Sequence, residues 1–160
     1  MDELLKLLKA NALETPENIA RMLGLTVKEV KKRIADYEKK GIIRGYQAIV
    51  DEDSLGLSDR VNAVIEVKLT PEKEGGFDRI AARIGKFPEV DSLYLMSGSY
   101  DVLVFVSGKS LRDVAGFVSE KLATIEGVVS TATHFRLKAY KVRGVLMEGH
   151  DGTERLKVSP

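Results

Sequence analysis

The sequence contains no cysteine and two histidines among its 160 residues. The absence of cysteine excludes disulfide bonds, thiol catalysis and cysteine-based zinc sites, and it suits a reducing compartment such as the cytoplasm. His134 and His150 have no acidic cluster of clear spacing around them, which argues against a metal or acid–base site. We therefore expect no cofactor, and we interpret His134 as a surface residue of a strand.

Long apolar runs and low-complexity tracts are also missing. No hydrophobic run approaches the length of a signal sequence or a membrane span, so we expect a cytoplasmic protein without membrane contact. The hydrophobic fraction of 44% and the charged fraction of 31% are ordinary for a folded chain. The net charge is +1, but residues 1–50 carry ten Lys and Arg against seven Asp and Glu. This basic excess permits nucleic-acid binding without indicating it.

The first part of the chain predicts short helices. Apolar residues recur with helical spacing over residues 2–12, which indicates an amphipathic first helix. Thr15 then offers an N-cap hydroxyl and Pro16 a first-turn proline for a second helix, which Gly24 ends.

A third helix is predicted after a short turn. Thr26 and Glu29 have the spacing of a capping box, and the helix ends at Gly41. Its buried face consists of Val30, Ile34 and Tyr37. The turn over residues 24–26 is short and contains glycine, as a helix-turn-helix requires.

Residues 42–50 are rich in β-forming residues and are interrupted by Arg44 and Gly45. This pattern predicts a two-stranded hairpin, or wing, directly after the third helix. An acidic segment at residues 51–54 follows. We therefore predict a winged helix-turn-helix domain over residues 1–51 and a linker over residues 52–60.

The second part contains a weak internal repeat. In its first unit, residues 61–69 alternate as a strand, a helix starts at Thr70 and Pro71, and residues 90–96 return as a strand. The apolar face of that helix consists of Phe77, Ile80, Ala81 and Ile84.

The second unit repeats this order. Residues 100–106 form an apolar strand, Ser110 and Asp113 have capping-box spacing at the start of a helix, and residues 128–140 form the last strand. The apolar helix face consists of Leu111, Val114, Ala115, Val118 and Leu122. Two such units predict an α+β, ferredoxin-like βαββαβ domain over residues 61–143, with helices on one sheet face and a C-terminal extension over residues 144–160. The uncovered sheet face then requires a partner.

Several runs of residues resemble one family. The run TVKEVKKRI occupies residues 26–34, EKKGIIRGYQA occupies residues 38–48, and Val50 and Asp51 follow. Together they resemble the Lrp/AsnC transcriptional regulators. The runs SGSYD at residues 97–101 and GVVSTAT at residues 127–133 resemble the effector domain of the same family.

The resemblance spans nearly the whole chain and implies a function. It implies a sequence-specific regulator that binds double-stranded DNA and an amino acid or similar small effector. It also implies a homodimer formed through the wing and sheet regions, with dimers assembling into a tetramer or octamer and the effector bound between dimers.

The face of the third helix opposite its buried side is basic. Helical spacing places there Lys28, Lys31, Lys32, Ala35 and Lys39. In a helix-turn-helix this helix enters the major groove, where its first residues reach base edges and its flanks touch phosphate. A solvated lysine face is the simpler interpretation of the stripe alone, but its place after a glycine-containing turn favours DNA. The first candidates are Thr26, Lys28, Lys31 and Lys32.

Two arginines are further DNA-binding candidates. Arg33 matches a recurring position of the family and could reach phosphate, but Glu29 is its i+4 neighbour and could pair with it instead. Arg44 has a plausible role at the DNA backbone, although a single arginine near a turn is more often solvated.

The candidate effector site joins a turn and the last strand. Backbone N–H groups of the turn could hold a carboxylate while Asp101 meets an ammonium group. A hairpin turn with positive φ at Gly98 and a local side-chain bond from Asp101 would give the same pattern, and family context favours the effector. Thr131 and Thr133 share one strand face, which packing alone would also explain. The six candidates are Gly98, Ser99, Tyr100, Asp101, Thr131 and Thr133.

Two other functions remain open. Some tetrapyrrole decarboxylases of haem biosynthesis resemble this family and have lost DNA binding, but the basic third helix argues against that enzymatic interpretation. A global architectural protein that wraps DNA with little sequence preference could use the same helix.

Overall fold

The computed structural model describes residues 1–52, 54, 60–71, 73 and 75–147. The contacts divide the chain between Ile49 and Val50 into two units. Most of the predicted linker over residues 52–60, and the C-terminal extension from residue 148 onward, lie outside the described residues. Within the described ranges, no helix has the length and apolarity needed to cross a membrane.

The first unit contains three helices, α1 (Glu3–Ala10), α2 (Pro16–Leu23) and α3 (Val27–Lys39). The predicted start and end signals of α2 are confirmed. The Thr15 hydroxyl accepts a hydrogen bond from the N–H of Asn18, and Gly24 ends the helix with φ +65°. The turn to α3 is as short as predicted, so the helix-turn-helix arrangement is confirmed.

The capping box and buried face of α3 are confirmed as well. Thr26 and Glu29 exchange hydrogen bonds at the start of the helix, and Val30 is fully buried. Ile34 and Tyr37 are partly buried and pack against the same core. That core is small and joins all three helices through Leu4, Leu8, Ile19, Ala20 and Val30.

The predicted hairpin over residues 42–50 is wrong. These residues are described throughout, and none of them belongs to a strand. Large apolar side chains of the segment are exposed, namely Ile42, Tyr46, Ile49 and Val50. A strand needs the hydrogen-bond ladder of a neighbouring strand, and the described first unit contains no strand. β-forming residue types alone therefore did not produce a sheet.

The second unit is built on a four-stranded antiparallel sheet, as predicted. The strands are β1 (Val61–Leu69), β2 (Val90–Leu95), β3 (Val102–Gly108) and β4 (Val128–Phe135), in the order β2-β3-β1-β4. The helices are α4 (Asp78–Ile84) and α5 (Leu111–Gly116), which continues as a π-helical turn (Phe117–Leu122). This order with two crossovers is the ferredoxin-like arrangement.

One sheet face carries the core. The alternating residues of β1 and β3 that lie on this face are buried, and both helices pack on them. The fully buried members include Ile65, Val67, Ile80, Ile84, Val102, Val104 and Leu122. The opposite face carries partly or fully exposed apolar residues, among them Val64, Leu103, Phe105 and Tyr94.

The first helix of this unit starts later than predicted. The expected start at Thr70 and Pro71 is wrong, because α4 begins at Asp78. Gly75 and Gly76 have φ values of +105° and +57°, which are incompatible with a right-handed helix. The predicted apolar face is correct in Phe77, Ile80 and Ile84, all of which pack into the core.

The predicted apolar face of the second helix is correct in Val114 and Leu122, which are buried, and in Val118, which packs against the core. It is wrong in Leu111 and Ala115, which are exposed. Leu111 is 58% exposed, whereas Phe117, which was not predicted, is 4% exposed. Ser110 caps this helix through the N–H of Asp113, as its spacing predicted. The chain then widens into the π-helical turn, where the N–H of Ala123 reaches the carbonyl of Val118.

The last strand is shorter than predicted. β4 ends at Phe135, which pairs with Ala63, instead of continuing to residue 140. The Arg136 N–H still donates to the Asn62 carbonyl at 2.8 Å, and in this register residues 138–140 would lie beyond Val61, where β1 begins. A separate small hairpin follows, with strands β5 (Lys141–Val142) and β6 (Val145–Leu146). Its turn uses positive φ at Arg143 and Gly144.

Candidate nucleic-acid interface and ligand site

The outward face of α3 is lined by lysines. At 3.6 residues per turn, Lys28, Lys32 and Lys39 lie opposite the buried Val30. All three are exposed. Ala35, which is also exposed, lies beside them and lets a large surface approach closely. The structure therefore brings these predicted residues together on one solvent-facing surface, which we call the lysine face.

Thr26 is the N-cap residue of α3, and its side chain is already engaged. Its hydroxyl donates to the Glu29 carboxylate at 2.7 Å and accepts from the Glu29 N–H at 3.2 Å. The N–H of Thr26 also donates to that carboxylate at 2.8 Å, and these bonds hold the pKa of Glu29 below its ordinary value. Thr26 thus fixes the start of α3.

Lys31 lies beside the lysine face, whereas Arg33 lies on the other side of α3, closer in helical angle to Val30. Lys31 Nζ is 3.7 Å from Glu17 Oε1, which links α3 to α2 by an exposed ion pair. The Glu29 carboxylate serves the helix cap, and in the described part of the chain Arg33 makes no ion pair with it within 4 Å. Arg33 is exposed and therefore available to a phosphate.

Arg44 lies at the opposite end of α3. Its guanidinium group packs against Gly41, where an added Cβ would be 3.4 Å from Arg44 Nη2. Tyr46 reaches back to α3 as well, because its hydroxyl donates to Glu38 Oε1 at 3.0 Å. Burial and this bond raise the pKa of Tyr46. The segment after α3 is therefore held against the C-terminal end of the helix.

A hydrogen bond between the start of α1 and α3 was not predicted from the sequence. The Tyr37 hydroxyl donates to Asp2, whose carboxylate also accepts the N–H of Leu4 at the start of α1. The bond from Tyr37, the Leu4 N–H and the charge of Arg33 lower the pKa of Asp2, and the bond to Asp2 raises the pKa of Tyr37. Asp2 at an N-cap was a usable signal, but its partner lies 35 residues away and no local pattern identifies it.

The turn over residues 98–101 joins β2 to β3, where the sequence places it. Gly98 has φ +146°, and it is exposed together with Ser99. Among the described residues, the N–H groups of Gly98, Ser99 and Tyr100 make no hydrogen bond. Free N–H groups grouped in a turn can hold an anionic group such as a carboxylate.

Asp101 is bonded to the end of β1. Its Oδ2 accepts the N–H of Leu69 at 2.7 Å, and its own N–H donates to the carbonyl of Val67 at 3.0 Å. Its carbonyl accepts the N–H of Met96 at 2.8 Å. The sequence predicted a bond from the Asp101 side chain within its own turn. The bond instead reaches Leu69 at the end of β1, 32 residues earlier.

Thr131 and Thr133 share one face of β4, as predicted. They pair with Val67 and Ile65 of β1, and therefore point to the helix-covered side of the sheet. Both are half-buried. Val67 has Thr131 on one side and the Asp101 amide on the other, so a single strand separates the turn from Thr131.

A groove beside the C-terminal end of β1 was not predicted from the sequence. It has a volume of about 690 Å³ and is lined by Thr70, Pro71, Lys73, Arg79, Arg83, Glu126 and Gly127. The spacing of Arg79 and Arg83 on α4 was a signal for a shared helix face. Gly127 brings the preceding turn against α4, because an added Cβ would lie 2.5 Å from Ile80 Cδ1.

Each of the two units matches a known protein-family model. A family model described as the Lrp/AsnC ligand binding domain matches residues 62–146, which is more than half of the chain. The chain belongs to the Lrp/AsnC family. A model described as winged helix-turn-helix DNA-binding matches residues 3–44. The protein is accordingly a DNA-binding transcriptional regulator with a separate ligand-binding domain.

Individual relatives cover nearly the whole chain. The HTH-type transcriptional regulator YugG of Bacillus subtilis is 47% identical over 158 residues, which are 99% of this chain and 95% of the relative. A transcriptional regulator of Neisseria meningitidis, solved as an L-Met complex, is 26% identical with a TM-score of 0.68, covering 89% and 93% of the two chains. Escherichia coli AsnC is 25% identical with a TM-score of 0.67, covering 91% and 97%.

Proposed function

We propose that α3 enters the major groove of a specific operator in double-stranded DNA. Lys28 and Lys32 lie nearest its N-terminal end on the lysine face, where a recognition helix meets base edges and phosphates. Lys31, Arg33 and Arg44 flank the groove and bind phosphates, and Thr26 contributes by holding the start of the helix. The observation that carries this proposal is the row of exposed lysines opposite a buried apolar face.

The DNA-binding unit works as a pair. Two α3 helices of a homodimer would enter successive major grooves about 34 Å apart, which fixes a pseudo-palindromic site. Exposed apolar residues on the uncovered sheet face and in segment 42–50 support association with a second copy. Dimers assemble further into a tetramer or octamer, and wrapping of DNA around that assembly adds to operator affinity.

The second unit binds an amino acid or a similar small molecule between dimers. The free N–H groups of Gly98, Ser99 and Tyr100 support a site for the ligand carboxylate, and the L-Met complex of the Neisseria relative supports the ligand class. Thr131 and Thr133 complete the site from β4. The ligand changes DNA occupancy to the extent that it prefers one assembly over another. The protein acts in the cytoplasm, as a regulator without enzymatic activity or cofactor.

Replacement of a single lysine tests the DNA-binding face. Lys32→Ala is expected to weaken binding to every DNA sequence and to flatten the slope of log K against log salt by about 0.9 for each phosphate that the variant no longer neutralises. The measurement is fluorescence anisotropy with the protein's own upstream region and with scrambled DNA at several salt concentrations. Lys86→Ala, which replaces an exposed lysine of the second unit, is the matched control.

The outcomes separate the candidate functions. Specific binding that Lys32→Ala weakens and Lys86→Ala preserves supports the operator-binding regulator. Equal affinity for operator and scrambled DNA would instead indicate an architectural DNA-wrapping protein. Absence of DNA binding in the wild-type protein would overturn the proposal and return attention to a decarboxylase-like enzyme, for which tetrapyrrole binding is the direct assay.

A further inference from the structure

Asp101 directly precedes β3 and is hydrogen-bonded both to the end of β1 and to the residue that follows β2. Its carboxylate holds the Leu69 amide of β1, its N–H holds the Val67 carbonyl, and its carbonyl holds the Met96 amide after β2. The bond to Leu69 is 2.7 Å long and half-buried, which is short for an N–H donor. A carboxylate acceptor makes such a bond stronger than a neutral one.

The position of the turn depends on this junction. Residues 97–100 connect β2 to Asp101, and among the described residues their N–H groups make no hydrogen bonds that would fix them in place. Asp101 is therefore the anchor closest in sequence to the free N–H groups of Gly98, Ser99 and Tyr100. Loss of the Leu69 bond would leave that amide without its acceptor and would release the C-terminal side of the turn.

We propose that Asp101 is a positioning residue of the ligand site, which presents the N–H groups of the turn through its bond to Leu69. This role rests on the proposed function, since it concerns the site where the amino acid would bind. The carboxylate of Asp101 acts on the protein's own backbone, and the ammonium group of the ligand is recognised by other atoms.

Two substitutions distinguish positioning from direct recognition of the ligand. Asp101→Asn keeps an oxygen that accepts the Leu69 N–H but removes the negative charge, whereas Asp101→Ala removes both. If Asp101 positions the turn, Asp101→Ala should lose the Leu69 bond and ligand affinity, and Asp101→Asn should keep both. A direct ion pair with an ammonium group predicts that both variants lose ligand affinity.

The first readout does not need a ligand. Amide hydrogen exchange and amide chemical shifts are measured by NMR for the full chain. In Asp101→Ala we expect the Leu69 amide to exchange about tenfold faster or more and the Gly98, Ser99 and Tyr100 amides to shift, with Asp101→Asn close to wild type. Asp91→Asn, which replaces an exposed acid at the other end of β2, controls for loss of charge. Unchanged Leu69 exchange and turn shifts in Asp101→Ala would overturn the proposal.

The second readout uses L-methionine as the probe in calorimetric titrations of the same variants. We expect the Kd of Asp101→Asn to stay within about threefold of wild type and that of Asp101→Ala to rise about tenfold or more. A large loss of affinity in Asp101→Asn with normal Leu69 exchange would overturn the proposal and assign the charge to the ligand. If the wild-type protein binds none of the twenty amino acids, the proposed ligand class fails, and the NMR readout still decides whether Asp101 positions the turn.

Discussion

Replacing Gly127 by alanine should destabilise the second unit strongly. Gly127 has φ +93°, and an added Cβ would lie 2.5 Å from Cδ1 of Ile80. Ile80 has no exposed surface, so its side chain would have to move within a filled core. The N–H of Thr70 donates to the Gly127 carbonyl at 2.8 Å, which limits how far the backbone can retreat.

The magnitude follows from these two effects. A positive φ costs an alanine about 1–2 kcal/mol, and an overpacked core costs about 1–3 kcal/mol. We expect a loss of about 3 kcal/mol in the free energy of unfolding, which corresponds to a fall in Tm of roughly 12 °C for a unit of about one hundred residues. Thermal unfolding followed by circular dichroism and urea titration measure the two quantities.

Gly116→Ala is the matched control. Gly116 has helical angles of φ −62° and ψ −45°, and an added Cβ would meet no atom within 4 Å. Alanine should therefore stabilise this helical position by about 0.5–1 kcal/mol. Opposite signs for the two Gly→Ala substitutions are expected. A Gly127→Ala protein as stable as wild type would refute the reasoning, because neither the backbone angle nor the approach to Ile80 would then matter.

Two further predictions concern the first unit. Thr26→Ala should lower its free energy of unfolding by about 1 kcal/mol because the cap of α3 is lost, while Thr26→Ser should keep most of it; equal urea midpoints for the two variants would contradict this. Tyr37→Phe should lower stability at pH 7, because the bond from Tyr37 lowers the pKa of folded Asp2 below its ordinary value near 3.8. The stabilisation from Asp2 is then present above about pH 4 and lost as the pH falls through the lowered pKa, so the difference between Tyr37→Phe and wild type should shrink on acidification. Urea unfolding at about pH 7 and about pH 3 measures it, and a difference independent of pH would exclude Asp2 as the partner.

The candidate DNA-binding face could be predicted from the sequence because its determinants are local. Thr26 and Glu29 are three residues apart, and the same helical repeat that buries Val30 turns Lys28 and Lys32 outward. The hydrogen-bond and ion-pair partners of the individual side chains on this face are harder to predict. The engagement of Thr26 in its cap, and the pairing of Lys31 with Glu17 on the preceding helix, depend on side-chain positions that spacing does not give.

The ligand site illustrates the same limit over a longer range. The turn over residues 98–101 was found from its sequence, but the partner of Asp101 lies 32 residues earlier at Leu69. Strand register decides that bond, and register is set by the packing of whole strands. The groove beside α4 depends on the close approach of Gly127 to Ile80, which no pattern within either segment reveals.

The sequence by itself determined the elements whose signals lie within a few residues. Caps at Thr15, Thr26 and Ser110, the left-handed Gly24 and the alternation along β1 each act through bonds or burial inside one turn or strand. Tertiary structure decided where segments pair and stop. Segment 42–50 has β-forming residues but no strand beside it in the described first unit, and β4 ends at Phe135, two residues before its register with β1 would reach Val61. A helix satisfies its own backbone, whereas a strand takes its hydrogen bonds from another part of the chain or from another chain.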